Sequence, residues 1–246
     1  HGACRQIQAI KVKAQKKVAV DGTPSAVKVN CYGGNDGKIV IDAKDGSGNY
    51  QFAISPNYEY KTPSANNNKR YEFTGLTEGF YHIKIKDLTY NCEIEVRDIK
   101  VEEYPRLVIE QVAKQNVTCY GKNDGSIEYV FGELDTATGT RKATGNPLYE
   151  FILYKHNSTG IDEIVRSGQN LNANDRMSFS SLAPAKYSLV VTDANKCSLT
   201  QDFEILEGVD LTAKVQQVYN CSDDLGSIQT PTYDLYVTVK TPYLGH

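Results

Sequence analysis

Short stretches in which apolar and polar residues alternate with a period of two run along this 246-residue chain, separated by turn-forming Gly, Asn, Asp and Pro. In the first half the alternation predicts strands at 27–31, 38–42, 50–54, 70–73, 80–87 and 92–101. In the second half it predicts strands at 126–131, 148–154, 176–179, 187–193 and 197–205. No long stretch repeats with a period of 3.6, so little helix is expected.

The two sets are copies of one pattern. Cys31-Tyr-Gly-Gly-Asn-Asp-Gly37 returns as Cys119-Tyr-Gly-Lys-Asn-Asp-Gly125. The cysteines form two series, Cys31, Cys119 and Cys221 with steps of 88 and 102 residues, and Cys4, Cys92 and Cys197 with steps of 88 and 105. The longer second step is assigned to loops at 135–146 and 156–175, which are rich in Gly, Asn, Thr and Ser. A self-similar period of this kind fixes architecture before chemistry. The expected fold is all-β: tandem immunoglobulin-like β-sandwich repeats, antiparallel, with little helix. The expected division is 25–104 for the first sandwich and 105–208 for the second. Residues 1–24 read as the closing strand of a preceding copy with a linker, and 209–246 as the start of a third, truncated one. In each copy a Leu followed five residues later by Tyr (Leu76 to Tyr81, Leu182 to Tyr187) predicts a corner where the chain crosses between sheets and the Tyr hydroxyl finds backbone.

Composition narrows the function. With 27 basic and 30 acidic residues the net charge is −3, which draws the chain toward neither nucleic acid nor an anionic membrane. No apolar run approaches the ~20 residues that span a bilayer, so no membrane insertion is expected in this segment. Seventeen tyrosines against one Met and no Trp suit half-buried pleated surfaces. The chain lacks an initiating Met and reads as cut from a longer protein at both ends.

The combination Cys-x-Gly-x-Asn-Asp-Gly-x-Ile, then Gly-Leu-x-x-Gly-x-Tyr, then Val-Thr-Asp-Ala-Asn-x-Cys (119–127, 181–187 and 191–197, with 31–39, 75–81 and 86–92 in the first copy) resembles the SprB-type repeat of large surface adhesins of gliding Bacteroidota. The first copy departs at Asp87-Leu-Thr-Tyr-Asn-Cys92, and the third at Ser222-Asp-Asp-Leu-Gly226. The resemblance implies type IX secretion, display outside the cell, and adhesion to a substratum during gliding. It also implies partners among the surface motility and secretion machinery, beside neighbouring repeats of the same chain and a surface polysaccharide or substratum. The alternatives kept are a β-sandwich spacer of a secreted enzyme or glycan-binding protein, and a structural filament or sheath subunit.

Candidate chemistry is sparse. No G-x-S-x-G, H-E-x-x-H or P-loop is present, so no enzyme and no cofactor are expected. Asn35, Asp36, Asn123 and Asp124 are weak calcium candidates, against a plain reading as turn residues. Tyr58, Tyr60, Tyr90, Tyr104 and Tyr120 fall on turns, loops or linkers and are candidate ligand contacts. Cysteines in an exported array suggest disulfides. Strand parity favours bridges within each repeat, Cys31–Cys92 and Cys119–Cys197. A strict seven-strand order opposes them, because it puts those turns at opposite ends. The sequential scheme Cys4–Cys31, Cys92–Cys119 and Cys197–Cys221 is the alternative.

Overall fold

The computed structural model describes residues 16–158, 160, 162–218 and 232–240. The expected strand near residues 4–12 and the expected turn of a third copy at 219–228 lie outside them. The chain divides into two compact units, His1–Tyr104 and Pro105–His246.

Unit 1 holds β1 (Ala19–Val20), β2 (Ser25–Val27), β3 (Gly37–Lys44), β4 (Tyr50–Ile54), β5 (Arg70–Leu76), β6 (Gly79–Asp87) and β7 (Cys92–Val101). β3 is central in one sheet, flanked by β5 on one edge and by β2 and β1 on the other. The second sheet is ordered β4-β6-β7. The period-two pattern does the sorting: Ile39 and Ile41 of β3 and Ile83 and Ile85 of β6 are fully buried between the sheets, with Tyr50, Phe52 and Val101. Among the described residues the one helical element is a single 3-10 turn at Ala65–Asn67.

Unit 2 repeats the plan with β8 (Ile109–Gln115), β9 (Gly125–Phe131), a small hairpin of β10 (Leu134–Asp135) and β11 (Thr140–Arg141), β12 (Tyr149–Lys155), β13 (Glu163–Leu171), β14 (Arg176–Leu182), β15 (Ala185–Thr192) and β16 (Ser198–Ile205). The sheets are β8-β9-β14 and β13-β12-β15-β16. This is the antiparallel immunoglobulin-like sandwich expected from the sequence. A further hairpin, β17 (Asp210–Val218) with β18 (Thr232–Lys240), forms a separate two-stranded sheet.

Several elements differ from expectation, among them β1 and the β10–β11 hairpin in the stretch read as loop at 135–146. The opening strand of unit 1 ends at Val27 rather than running to Cys31. Val29 instead leaves that sheet and pairs in parallel with Glu103, as Cys119 does with Val209 in unit 2. β8 was not anticipated; only Ile109 at its start is buried, so the alternation signal fades along it. Residues 156–175, read as loop, contain the nine-residue β13 on the edge of the second sheet. None of its residues is fully buried, so it lacks the apolar face that marks a strand in sequence.

Both Tyr corners are present. Tyr81 Oη donates to Thr77 O at 3.1 Å, and Tyr187 Oη donates to Ala183 O at 2.9 Å. A Tyr129 hydroxyl buried in the same core as Tyr187 has no hydrogen-bond partner, and burial pushes it up to about 12. The two hydroxyls therefore predict opposite results. Tyr187→Phe should cost about 1 kcal/mol, whereas Tyr129→Phe should be neutral or stabilising, because it removes only an unpaid desolvation. Urea denaturation of the two variants measures the difference.

Candidate binding surface

The repeat motif is first a set of structural ties. In unit 1 Asp36 accepts from Asn30 N at 3.0 Å and from the Asn30 amide nitrogen, and the backbone bond chiefly holds its carboxyl below the usual range. Asp124 does the same with Thr118 N, also at 3.0 Å, and with the Thr118 hydroxyl, which is the main cause of its lowered carboxyl. Glu103 and Glu207 beyond the last strands accept from Gly33 N and Gly121 N, fastening the same loop to the end of its unit. Asn35 and Asn123 lie in these turns. Among the described residues no group of three His, Cys, Asp or Glu could hold a metal ion.

At the other end of each sandwich stands a buried carboxylate. Asp87 is fully buried and accepts from Ser47 N, Ser47 Oγ, Thr89 N and Tyr90 N. Asp193, 1% exposed, accepts from Asn146 N, Asn195 N and Cys197 N, each at 2.9 Å. The Asp of the Val-Thr-Asp-Ala-Asn-x-Cys segment thus pins the β15–β16 turn to the loop before β12. A sequence-visible partner of this tie is the Tyr opening β4 and β12: Tyr50 Oη donates to Asp45 O, and Tyr149 Oη to Thr144 O at 2.5 Å.

Of the five candidate tyrosines, the structure brings two together. The segment after β4 folds back so that Lys61 and Phe52 exchange backbone hydrogen bonds, and Tyr58 and Tyr60 lie over the outer face of β6 and β7. That face carries Lys84 and Lys86 opposite Glu95 and Glu93. Lys84 Nζ stands 4.8 Å from the centre of the Tyr58 ring, and Lys86 Nζ 5.7 Å from that of Tyr60. Tyr58 Oη donates to Glu95 at 3.2 Å and Tyr60 Oη donates to Glu93. Burial, then the Glu93 carboxylate, pushes the Tyr60 hydroxyl up to about 12. Tyr104 lies 5.7 Å below Lys28 Nζ, while Tyr90 and Tyr120 are 44% and 65% exposed at turns. The structure does not gather these last three with Tyr58 and Tyr60.

Beside the tyrosine pair an open cleft of about 320 Å³ lies between the edges of the two sheets, lined by Ile54, Pro56, Glu59, Lys61, Tyr71 and Phe73. In unit 2 β13 occupies the corresponding edge of β12.

Unit 2 also holds a chain that sequence reading missed. Asp162 Oδ1 lies 2.7 Å from His156 Nδ1, and His156 Nε2 lies 2.7 Å from Ser188 Oγ, which donates to Asp202. The order resembles a nucleophilic triad, but the serine hydroxyl is engaged by Asp202 as well as by the ring. Ser188 is also 9% exposed in mid-strand. The chain therefore ties β12, β15 and β16 together rather than activating a nucleophile.

The cysteines correct the bridge expected within each repeat. Cys31 and Cys197 are disulfide-bonded, whereas Cys92, half-buried, and Cys119, exposed, are free thiols. Cys31–Cys92 and Cys119–Cys197 are therefore not formed, and neither is the middle pair of the sequential scheme. Parity placed both residues of a pair on an inward face but did not register that they stand at opposite ends of it.

Residues 23–58 match the SprB repeat, so over that stretch the resemblance read from the motif holds. The SprB repeat marks a surface adhesin-type repeat region. No curated protein matches the chain. Among solved structures, three N-terminal domains of the bacteriophage RB49 highly immunogenic outer capsid protein (Hoc) align with 93% of this chain and 71% of their own, at 12% identity and a TM-score of 0.44. The fibronectin(III)-like modules of Clostridium thermocellum CbhA align with 78% of this chain and 94% of theirs, at 17% identity and a TM-score of 0.31. Among the described residues no helix is long and apolar enough to cross a membrane.

Proposed function

We propose that this chain is a stretch of a long, repetitive cell-surface adhesin, exported by the type IX route and acting in attachment to substrata during gliding. Each sandwich is one element of a non-catalytic extended array, and weak contacts at many copies sum to avidity. The observation that carries this reading is the SprB match at 23–58 together with the same motif ties rebuilt in the second unit. In this reading β17–β18 opens a third copy. Antibodies raised against the purified chain should label intact cells that make the protein and reduce their attachment and gliding. Intact cells without label would overturn surface display; labelled cells whose attachment and gliding are unchanged would overturn the adhesive role.

A second reading has its own support. Both hydroxyls of the Tyr58–Tyr60 pair are held by Glu95 and Glu93 of the same unit, which favours a spacer that positions a binding domain elsewhere. Antibody that labels cells without blocking attachment is the result this reading expects.

A further inference from the structure

The second copy of the repeat contains an edge strand that the first does not complete. In unit 2 β13 lies along β12 with Gly168 opposite Phe151, and its Val165 packs against the core of the unit. The Arg166 guanidinium of the same strand reaches across to β14 and donates to Ser180 O at 3.3 Å. In unit 1 Phe52 stands where Phe151 does, and Lys61 lies opposite it in the place of Gly168. Counted back from there, Tyr58 and Glu59 correspond to Val165 and Arg166, but the chain does not carry them inward. It leaves β4 at Ile54 and turns at once: Tyr58 N donates to Ile54 O at 2.9 Å, and a left-handed φ of 52° sends the Tyr58 ring outward to Lys84.

The position that Val165 fills in unit 2 is therefore open in unit 1, where the cleft of about 320 Å³ lies. Its apolar floor is Ile54, Tyr71 and Phe73, the register counterparts of Leu153, Met177 and Phe179 in the core that Val165 joins. Its wall is a strand edge. Among the described strands β5 pairs with β3 alone. Ala43 N donates to Lys69 O, which sets the phase of that ladder: Tyr71 and Phe73 bond to β3, while Glu72 and Thr74 turn their backbone N–H and C=O into the cleft. Thr74 is the counterpart of Ser180, whose carbonyl Arg166 takes in unit 2. The rim carries the Glu59 and Glu72 carboxylates, so it is acidic where the strand of unit 2 is basic. Their lysine partners, Lys61 and Lys38, form exposed surface pairs that hold them weakly.

We propose that this cleft is a docking site for an extended segment of a partner polypeptide, laid along β5 and carrying an aliphatic residue followed by a cationic one. The aliphatic side chain enters between Ile54, Tyr71 and Phe73, and the cation meets Thr74 O and the Glu72 carboxylate. Backbone pairing on the open edge supplies affinity, and the pocketed side chain supplies selection. The Val165-Arg166 pair of β13 is the pattern for that chemistry, since the same fold uses it to close the same place. The inference goes beyond the adhesive reading and does not rest on it, because an array that only spaces another domain keeps the cleft.

The test uses the whole chain and a fluorescent peptide of residues 163–171, the sequence of β13. Anisotropy should rise to saturation on titration, and the amide resonances of Ile54, Glu72 and Thr74 should shift. A peptide carrying Val165→Asp should not bind, and Glu72→Lys in the chain should weaken binding several-fold. Absence of saturable binding, or equal binding of a scrambled peptide, would overturn the proposal. So would shifts confined to unit 2, where the peptide would be replacing the chain's own β13. Circular dichroism of the Glu72→Lys chain checks that it is folded, and the Val165→Asp peptide tests the same pocket on the unaltered chain.

Discussion

Replacing Asp193 with alanine is expected to destabilise unit 2 by about 3 kcal/mol or more, because it leaves three buried backbone N–H donors, those of Asn146, Asn195 and Cys197, without an acceptor. For a unit of this size that corresponds to a fall of roughly 10–15 °C in its melting temperature. Scanning calorimetry of the whole chain should resolve it as a shifted transition for unit 2 with that of unit 1 unmoved. Asp193→Asn, which keeps one oxygen acceptor, should fall between. In unit 1 the equivalent carboxylate adds a pH dependence. Burial pushes Asp87 up, but the hydrogen bonds from Ser47, Tyr90 and Thr89 outweigh it and hold it below the usual carboxylate range. A folded value below the unfolded one means that the stabilisation is present above the unfolded pKa of about 3.9 and is lost as pH falls through the folded value. Unit 1 should therefore weaken on acidification below about pH 4, and Asp87→Asn should flatten that part of the profile.

Gly125→Val is expected to be as damaging by a different route. A Cβ there would lie 2.6 Å from Ile205 Cγ2 and 2.9 Å from Leu182 O. The carbonyl cannot withdraw, because Leu182 is paired with Gly125 across the β14–β9 ladder. The glycine of Asn-Asp-Gly is thus required by the closeness of the neighbouring strands, since neither Gly37 nor Gly125 takes a positive φ in the turn. Gly37 is in the same position, with a Cβ that would meet Leu76 O at 2.7 Å and Val101 Cγ1 at 2.8 Å. Overpacking a filled core typically costs about 1–3 kcal/mol, and the branched side chain against a fixed backbone atom places this variant at the top of that range, at about 3 kcal/mol. Guanidinium unfolding of the Val variant beside the wild type gives the number.

These two sites mark what the sequence made legible. The recurring Cys-Tyr-Gly-x-Asn-Asp-Gly string announced two copies, and the Leu-to-Tyr spacing announced the corner bonds of Tyr81 and Tyr187, because both depend on local geometry. Asp193 stood in the motif beside two of its donors, Asn195 and Cys197, but the third, Asn146, lies 47 positions away. No local pattern conveys that. β13 was missed because an edge strand with no buried face has no alternation to display. For the cysteines, strand parity favoured bridges within each repeat because it reports which face a residue is on, and the objection from a seven-strand order, which reports the end a residue occupies, was the sounder guide. For the tyrosines, alternation of Lys84 and Lys86 with Glu93 and Glu95 was readable as an outward charged face. That Tyr58 and Tyr60 lie across it depended on a fold-back that nothing local specified.

The account rests on each copy burying its own core: Ile39, Ile83 and their neighbours in one, Ile127, Leu189 and theirs in the other. Residues 16–104 and 105–208 produced as separate polypeptides test this most directly, the first keeping β1 and Val18 of its core. Each should unfold cooperatively, and its amide resonances should overlay those of the same residues in the whole chain. A fragment that stays unfolded alone, or whose core resonances move throughout, would contradict it.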